Sequence, residues 1–377
     1  MNDATVLGNE GHFVIAAGGT GGHMAPAYAV AQLMLDRGYT VTLITDERGQ
    51  AFPGKPERVV TSVLDAQVPR TGVFSLLSTA AGVRKAQRQA TQFLSVAPVA
   101  AVIGFGGYPA LPTLLAAKAM NIPYMTHEQN AVLGRTNRLT GPRAAAVAIS
   151  FPGTQKLPAK WHSKTALTGT PVRPDILEKR EEEYPILSRD SLMRILILGG
   201  SQGARILSDV VPEAVSIVPP ALRQRLQITQ HCREEDLERV RGAYAELKVA
   251  AEVTSFIQDV GEKLRWTHLV IARAGASTIA ELTAVGRPSI LVPFAAAMDD
   301  HQRVNAEMLS SNGAAITMTE EMFDARSLAK QLQKLSLAPG TMAEMAEAAK
   351  RLGYPRATKH LADMCEFVGR GGRRDAA

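Results

Sequence analysis

Short apolar runs, each followed by a polar or glycine-rich loop, recur along most of the chain. Such runs are typical of strands that are buried on both faces of a parallel sheet. Helices are predicted between them. The predicted strands cover residues 12–17, 40–45, 99–103, 122–126, 147–149, 193–198, 228–231, 253–257, 269–272 and 289–293. The predicted helices cover 26–37, 205–217, 325–335, 341–352 and 357–368, and another ends near residue 120.

The order of strand, glycine loop and helix occurs at residue 12 and begins again at residue 193. Residues 167–174 resemble the exit from a first domain, and the charged, unpatterned stretch 178–189 is typical of a linker with a surface helix. We therefore predict an α/β protein of two doubly wound, Rossmann-like domains whose ligand-binding edges face a cleft.

Length, charge and cysteine content narrow the classes of protein. A chain of 377 residues is long enough for two domains of this kind. The net charge of +6 favours anionic partners. Two widely separated cysteines, Cys232 and Cys365, argue against a disulfide framework. The sequence also shows no secretory signal and no apolar run long enough to cross a bilayer.

The stretch 269–306 carries the clearest candidate chemistry. Arg273 follows a buried strand, and the helix predicted to open at Thr278 presents free backbone N–H groups beside it. A cation and a helix N-terminus together favour a diphosphate, and a cation in that place requires an anion. Gln302 follows the next strand and suits sugar hydroxyls. These features predict a sugar-nucleotide site.

The glycine loops do not match other nucleotide-binding fingerprints. Met24 stands where a dinucleotide-binding loop needs a small residue, so Asp46 is predicted to be a solvated loop acid rather than a ribose ligand. The loop 199–204 lacks the Lys-Ser/Thr pair of a P-loop. Neither an NAD site nor a P-loop is expected.

The stretch 127–130, His-Glu-Gln-Asn, follows a predicted strand, where polar residues indicate ligand contact. It lacks the second histidine of the zincin motif, because Ala131 holds that position. The pair Asp299–Asp300 is interpreted as loop structure. No metal site is predicted.

Residues 68–90 combine apolar and basic side chains. The pattern fits a membrane-surface patch, and it fits equally an amphipathic helix whose apolar side is core. Both interpretations stay open. The residues of this predicted patch are Arg70, Val73, Phe74, Leu76, Leu77, Arg84, Lys85 and Arg88.

Several motifs occur in a specific order over residues 12–352: GGTGGH (18–23), GFGGY (104–108), HEQN (127–130), GTPVR (169–173), GGSQGA (199–204), RAGAST (273–278) and DDHQ (299–302). Together they resemble the MurG family of peptidoglycan glycosyltransferases. The resemblance implies the GT-B architecture, UDP-N-acetylglucosamine as donor, lipid I as acceptor, and lipid II and UDP as products. It also implies peripheral attachment to an anionic membrane surface at the cytoplasmic face of the inner membrane, with other cell-wall synthesis proteins as further partners. No cofactor, metal or nucleic acid is implied.

The resemblance also implies domain boundaries and site residues. The last helix would return to the first domain, giving an acceptor domain of 1–173 plus 353–377 and a donor domain of 174–352. Ala110 replaces a serine of the family pattern, so a hydroxyl contact to the acceptor is absent there. The implied donor residues are Thr20, Gly21, Gly22, Asn130, Arg173, Ser201, Gln202, Ile257 (through its backbone), Arg273, Gly275, Ser277, Glu281 and Gln302. The implied acceptor and diphosphate loops contain Gly18, Gly19, Gly106, Gly107 and Tyr108.

Two of these residues have structural alternatives. Glu281 completes a capping box with Thr278, although its place at a strand end favours the ribose diol. Ser201 could act as a helix N-cap.

The implied reaction inverts the anomeric centre, so it needs a base on the acceptor side. His23 is our first candidate and Glu128 the second, although His23 could instead cap its loop or bind the acceptor phosphate. Rival functions are a UDP-N-acetylglucosamine 2-epimerase and a non-catalytic sugar-nucleotide or lipid-binding protein.

Overall fold

The computed structural model describes residues 11–65, 75–188, 190–200 and 203–372, without the side chains of 75–79. The chain divides into two compact units. The first contains the described parts of 1–172 and 356–377, and the second contains those of 173–355. Each unit is built around its own parallel sheet.

The strands of the first unit are β1 (His12–Ala16), β2 (Thr40–Thr45), β3 (Val60–Val63), β4 (Ala101–Gly104), β5 (Tyr124–Glu128), β6 (Ala146–Ile149) and β7 (Thr165–Leu167). Within the described residues they form one parallel sheet in the order β3-β2-β1-β4-β5-β6-β7. The order reverses between β1 and β4, and ligands of such sheets bind at the carboxyl ends of the strands beside that switch point. β3 and β7 were not predicted.

The helices of the first unit are α1 (Gly21–Asp36), α2 (Glu47–Gln50), α3 (Ser75–Leu94), α4 (Gly107–Ala119) and α5 (Arg135–Thr140), with 3-10 helices at Gly141–Arg143 and Ala159–Lys164. The predicted start of α1 at residue 26 was wrong. The helix begins at Gly21 and contains Pro26, because the buried side chain of Met24 already packs in its first turn. His23 therefore lies inside the first helical turn.

Alternate residues of the first sheet pack on opposite layers, as the pleat requires. Ile15, Ile103 and Met125 face the layer that contains α1. Val14, Val102 and Val147 face the layer that contains α4. The central strands are thus buried on both sides, which explains their uninterrupted apolar sequences.

The second unit repeats the design. Its strands are β8 (Met193–Leu198), β9 (Leu226–His231), β10 (Ala250–Thr254), β11 (Leu269–Ala272), β12 (Ser289–Leu291) and β13 (Ala315–Thr317). The described strands are parallel in the order β10-β9-β8-β11-β12-β13, with the switch point between β8 and β11. β10 ends three residues before the predicted end at Ile257, which places Ile257 in the following loop. β13 was not predicted.

The helices of the second unit are α6 (Pro174–Leu177), α7 (Arg205–Ile217), α8 (Pro220–Arg223), α9 (Leu237–Glu246), α10 (Val260–Trp266), α11 (Ala276–Val285), α12 (His301–Ser310), α13 (Ala325–Leu337) and α14 (Pro339–Leu352), with 3-10 helices at Glu178–Glu181, Glu234–Asp236 and Met298–Asp300. The predicted linker is fixed to this unit. The Arg180 guanidinium donates to the carbonyls of Thr283, Ala284 and Lys350 at the ends of α11 and α14.

The last helix, α15 (Ala357–Gly369), belongs to the first unit. Leu361, Cys365 and Val368 join the same buried cluster as Phe13. Arg37 at the end of α1 pairs with Asp363 at 2.7 Å and with Glu366 at 2.5 Å. None of the described helices has the length and apolar character needed to span a membrane.

Candidate functional site

The first glycine loop, 18–22, connects β1 to α1 and is fixed by Asp46. A Cβ atom at Gly18 would lie 2.6 Å from Asp46 Oδ1, so only glycine fits there. The same oxygen accepts hydrogen bonds from the backbone N–H groups of Gly19 and Gly49, each at 3.0 Å. Asp46 is buried. The prediction of a solvated loop acid was therefore wrong, because Asp46 caps α2 and holds the loop.

The second glycine loop, 104–107, lies against the first one. Gly106 and Gly107 have φ angles of +77° and +72°, a conformation that favours glycine. A Cβ atom at Gly107 would lie 3.3 Å from both the Gly18 carbonyl oxygen and the His23 ring. The Gly107 carbonyl accepts a hydrogen bond from Thr136 Oγ1 at 2.9 Å. The loops and His23 thus meet at the ends of β1 and β4, and we call this place the first-unit site.

Two histidines of the first-unit site differ in their environments. His23 is partly exposed, and its Nδ1 lies 3.2 Å from Thr20 Oγ1. His127 is fully buried, and its Nε2 donates to the Gly169 carbonyl at 3.0 Å while Nδ1 accepts from Gln129 Nε2. Burial and, to a smaller extent, the neighbouring His23 lower the pKa of His127 to about 4, while the hydrogen bond to Gly169 opposes the shift. His127 is therefore neutral near pH 7 and serves as a structural residue.

Glu128 is the last residue of β5, and both of its carboxylate oxygens accept hydrogen bonds. Oε1 accepts from the N–H and Nδ2 of Asn130 at 3.1 and 3.3 Å, and Oε2 accepts from Gly134 N at 2.7 Å and Asn137 Nδ2 at 2.8 Å. Burial raises its pKa, and these hydrogen bonds oppose the rise. With 3% of its surface exposed, this carboxylate organises the loop from β5 to α5.

Tyr108 and Ala110 lie in the first turns of α4. Partial burial raises the pKa of the Tyr108 hydroxyl. The Ala110 side chain is fully buried in the core layer behind the loop. The methyl group of Ala110 therefore packs in the protein interior.

The Arg273 guanidinium has protein partners on several sides. It pairs with Glu320 at 2.6 Å and donates to the carbonyls of Val292 and Pro293 at 3.1 and 3.3 Å. Its carbon also lies 5.2 Å from the centre of the Phe294 ring. Glu320 thus supplies an anion for this cation within the protein, and the implied contact of Arg273 with the donor diphosphate stays a prediction. This pair could not be predicted from the sequence, because its members are 47 positions apart and meet only in the folded protein.

The helix that follows Arg273 begins at Ala276 with Gly275 as its N-cap, so no side chain caps its first turn. Thr278 therefore lies inside the helix, and the capping box with Glu281 is absent. The Glu281 side chain is partly exposed, and no described residue donates a hydrogen bond to it. Burial raises its pKa to about 7, with the nearby Arg173 opposing and Asp175 adding to the rise.

Arg173 is the more accessible cation in this region. It is the N-cap residue of α6, which packs against α11. Its side chain is 39% exposed, and its Nε lies 3.8 Å from Asp175 Oδ1. The start of α11, Glu281 and Arg173, together with the segment that carries Gln302, form what we call the second-unit site.

Gln302 lies in the first turn of α12, after a segment with unusual backbone angles. Its Oε1 accepts a hydrogen bond from the Phe294 N–H at 3.0 Å. Asp299 and Asp300 both have a φ angle of +55°, which is rare for residues other than glycine. Asn305 is buried, and its Nδ2 donates to the Ala274 carbonyl at 3.1 Å. Phe294 and Glu320 were missed in the sequence.

Some predicted site residues lie outside the described residues, namely Arg70, Val73, Phe74, Ser201 and Gln202, and the side chains of Leu76 and Leu77 are not described. Arg84, Lys85 and Arg88 lie on α3, where Lys85 pairs with Asp65. Ala86 and Ala90 on the same helix are buried, so the described part of α3 is amphipathic and packs on the core. The described part of the chain contains no group of three His, Cys, Asp or Glu side chains that could hold a metal ion.

Two Rossmann-like units, each with glycine loops at the switch point of its sheet, define the class of GT-B glycosyltransferases. The glycosyltransferase family 28 N-terminal domain matches residues 13–149, and the family 28 C-terminal domain matches residues 194–361. The chain therefore belongs to glycosyltransferase family 28.

Curated relatives refine this assignment. A protein of Sphingopyxis alaskensis is 50% identical over 94% of this chain and 91% of its own, and one of Zymomonas mobilis is 47% identical over 95% and 92%. Both are named UDP-N-acetylglucosamine–N-acetylmuramyl-(pentapeptide) pyrophosphoryl-undecaprenol N-acetylglucosamine transferase.

Solved structures agree with the family. The crystal structure of Acinetobacter baumannii MurG is 30% identical and covers 94% of this chain and 99% of its own, with a TM-score of 0.76. The predicted resemblance to the MurG family is confirmed. A structure described as a UDP-N-acetylglucosamine 2-epimerase from Listeria monocytogenes has a TM-score of 0.65 at 14% identity over 97% and 98% of the two chains, which shows a shared fold alone.

Proposed function

We propose that this glycosyltransferase moves N-acetylglucosamine from UDP-N-acetylglucosamine to the 4-hydroxyl of the N-acetylmuramyl group of lipid I, forming lipid II and UDP. The observation that carries the proposal is the second-unit site. There, a helix start with glycine as its N-cap, an accessible arginine and a carboxylate that accepts no hydrogen bond from the described residues lie together. These are the groups that a nucleoside diphosphate requires, and the relatives' names specify the sugar and the acceptor.

In this proposal the donor binds chiefly to the second unit. Backbone N–H groups at Gly275 and Ser277 and the Arg173 guanidinium bind the diphosphate. The Glu281 carboxylate accepts hydrogen bonds from the ribose diol, because none of the described residues donates one to it. Gln302 binds the sugar hydroxyls. We retain the proposed contacts of Ser201, Gln202, Asn130 and the Ile257 backbone, and of the loop residues Thr20, Gly21 and Gly22.

The proposed chemistry is an inverting displacement. The oxygen of the acceptor 4-hydroxyl bonds to the anomeric carbon as the bond from that carbon to the UDP oxygen breaks, and the electron pair leaves with UDP. The hydroxyl proton passes to the imidazole of His23, because imidazole is the side chain best suited to general base catalysis near neutral pH. The α11 N-terminus and Arg173 stabilise the charge that develops on the diphosphate. Glu128 is a poorer base because both its oxygens already accept hydrogen bonds.

We propose further that the reaction needs no resident metal or cofactor, because the helix start and Arg173 supply positive charge where the leaving group forms. Turnover should be unchanged after treatment with a strong chelator. Loss of turnover on chelation, restored by one divalent cation, would contradict this part of the proposal.

The decisive experiment mixes the pure protein with UDP-N-acetylglucosamine, with and without a lipid I analogue. A transferase releases UDP and extends the analogue only when the acceptor is present. A 2-epimerase would change the sugar without any acceptor, and a binding protein would do neither. The family assignment favours the first outcome over the other two.

We propose that the protein binds the cytoplasmic face of the inner membrane through α3. Each cation near an anionic leaflet contributes about 1 kcal/mol, so binding should be reversible and sensitive to salt. Reversing the charges of Arg84, Lys85 and Arg88 should abolish co-sedimentation with anionic vesicles. Reversal of the exposed cations Arg326, Lys330 and Lys334 on α13 is the matched control. Equal co-sedimentation of both variants would remove α3 from the membrane contact.

A further inference from the structure

The segment 293–302 connects β12 to α12 and carries Gln302. Its backbone is strained, because Asp299 and Asp300 occupy the left-handed region in succession. Such a conformation persists only where neighbouring groups hold it. The contacts that hold this segment therefore also bear on the position of Gln302.

Arg273 supplies contacts at the beginning of this segment. Its guanidinium donates to the carbonyls of Val292 and Pro293 and lies against the Phe294 ring. The N–H of Phe294 in turn donates to Gln302 Oε1 at 3.0 Å. A continuous chain of contacts thus runs from Arg273 through Phe294 to Gln302.

Glu320 fixes the other side of Arg273. It follows β13 in the sequence, and its carboxylate oxygen lies 2.6 Å from an Arg273 nitrogen. The two side chains are only 12% and 26% exposed, so solvent screens the pair less than it would a surface ion pair. A planar guanidinium with contacts on several edges is held in one orientation.

We infer that Arg273 and Glu320 form a clamp that positions the segment 293–302, so that they determine how the donor sugar is bound without touching the diphosphate. The inference rests on the proposed donor and reassigns Arg273 from ligand to positioning residue. Glu320 and the two carbonyls already accept hydrogen bonds from the Arg273 guanidinium, in the place that diphosphate oxygens would otherwise take. Arg173 and the start of α11 remain for the phosphates.

The clamp and the ligand role of Arg273 predict different binding results. If Arg273 binds the diphosphate, Arg273→Gln weakens UDP and UDP-N-acetylglucosamine alike. If it is a clamp, Arg273→Gln and Glu320→Gln both weaken UDP-N-acetylglucosamine by about tenfold and change the dissociation constant of UDP by less than about twofold. The double variant should then lose little more than either single variant, because both break the same unit.

The test is calorimetric titration of each full-length variant with UDP and with UDP-N-acetylglucosamine, after thermal scans confirm that it is folded. Glu321→Gln, the neighbouring exposed acid, is the matched control and should bind both ligands normally. Equal losses for both ligands in Arg273→Gln would overturn the clamp, as would normal sugar-nucleotide binding in Glu320→Gln. The titrations contain no acceptor, so they test the clamp separately from the transfer reaction. A wild-type protein that binds both ligands but transfers nothing to the lipid I analogue in the separate assay would contradict the proposed function and leave the clamp standing.

Discussion

Glu128 in the first unit and Glu281 in the second are both glutamates that the sequence places near a ligand-binding edge, but their surroundings in the structure differ. Both lie near the ligand edge of a parallel sheet, Glu128 at the end of β5 and Glu281 in α11, and burial raises the pKa of both. Glu128 accepts four hydrogen bonds from its own chain. Glu281 accepts none from the described residues. The difference shows that the carboxylate left without protein donors is the one suited to a ligand.

The two arginines of the second unit give the same lesson. Arg273 directly follows a buried strand and is the more conspicuous cation in the sequence. Its guanidinium is nevertheless already paired with Glu320 and donates to two carbonyls. Arg173 lies in a less conspicuous GTPVR stretch, and among the described residues its guanidinium has one ion-pair contact, with Asp175 at 3.8 Å. A charged side chain already paired within the protein stabilises the site, whereas an accessible one can bind substrate. The predictions below test this distinction.

The largest effect is expected at His23, in the first-unit site. His23→Ala should lower turnover by about 10²–10⁴-fold, because the acceptor hydroxyl loses its base, while binding of UDP-N-acetylglucosamine stays nearly unchanged. Steady-state kinetics and donor titration measure the two quantities. The exposed His162→Ala is the matched control. Near-normal turnover at saturating acceptor, with a much higher acceptor KM, would make His23 a binding residue and return Glu128 to consideration as the base.

Glu128→Ala should destabilise the first unit by about 3 kcal/mol or more, because it leaves buried donors of Asn130, Gly134 and Asn137 without an acceptor. Chemical denaturation measures the free energy of unfolding. The exposed Glu57→Ala should change it by less than about 0.5 kcal/mol. A Glu128→Gln variant with normal stability but no turnover would instead identify this carboxylate as the base.

Glu281→Gln should weaken UDP binding by about 1–3 kcal/mol, because a charged acceptor for the ribose diol is lost. The same change should stabilise the unliganded protein at pH 8. The pKa of Glu281 is raised to about 7, so the stability it contributes is complete below its ordinary pKa and is lost as the pH rises through 7. Glutamine avoids that loss.

Thermal scans at pH 5 and pH 8 and UDP titrations check this prediction. The stabilisation by Glu281→Gln should be larger at pH 8, and wild-type affinity for UDP should fall as the pH drops below 7. The exposed Glu344→Gln provides a control for the loss of a carboxylate. Unchanged UDP affinity together with a lower melting temperature would restore a capping role.

The smallest effect is expected at Gln302. Gln302→Ala should weaken UDP-N-acetylglucosamine by about 1–2 kcal/mol and leave UDP almost unaffected, because sugar hydroxyls lose a partner. Competition binding with the two ligands measures the difference, with Gln333→Ala as an exposed control. The Phe294 N–H also loses its acceptor, so a small fall in melting temperature is compatible with the prediction. Equal weakening of both ligands would contradict a sugar-specific role.

The central strands and main helices could be predicted because their sequences report burial directly. Thr40–Thr45, Met193–Leu198, Leu269–Ala272 and Arg205–Ile217 were predicted at their observed bounds. The peripheral strands β3, β7 and β13 were missed, because they are short and only partly buried. Their stability depends on pairing with a neighbouring strand, which a local pattern does not reveal.

Candidate site residues could be located by type and position, but their partners could not. The sequence places Glu128, Arg273 and Asp46 near strand ends. Whether these side chains are already paired depends on Asn137, Glu320 and Gly19, which come near them only in the folded protein. The missing capping box at Thr278 has a similar cause, because the helix starts two residues earlier at Ala276. Whether a polar side chain has all its hydrogen bonds within the protein depends on the tertiary structure, so a local sequence pattern does not reveal it.

The position of α15 has a consequence for synthesis on the ribosome. The core layer that contains Phe13 is completed by Leu361, Cys365 and Val368, which are made after the whole of the second unit. At about 5–20 residues per second, the early part of the first unit waits roughly 10–40 s for its last helix. The second unit, whose segments are contiguous, can therefore finish folding first. We expect nascent chains that end before residue 357 to expose the apolar surface that α15 normally covers.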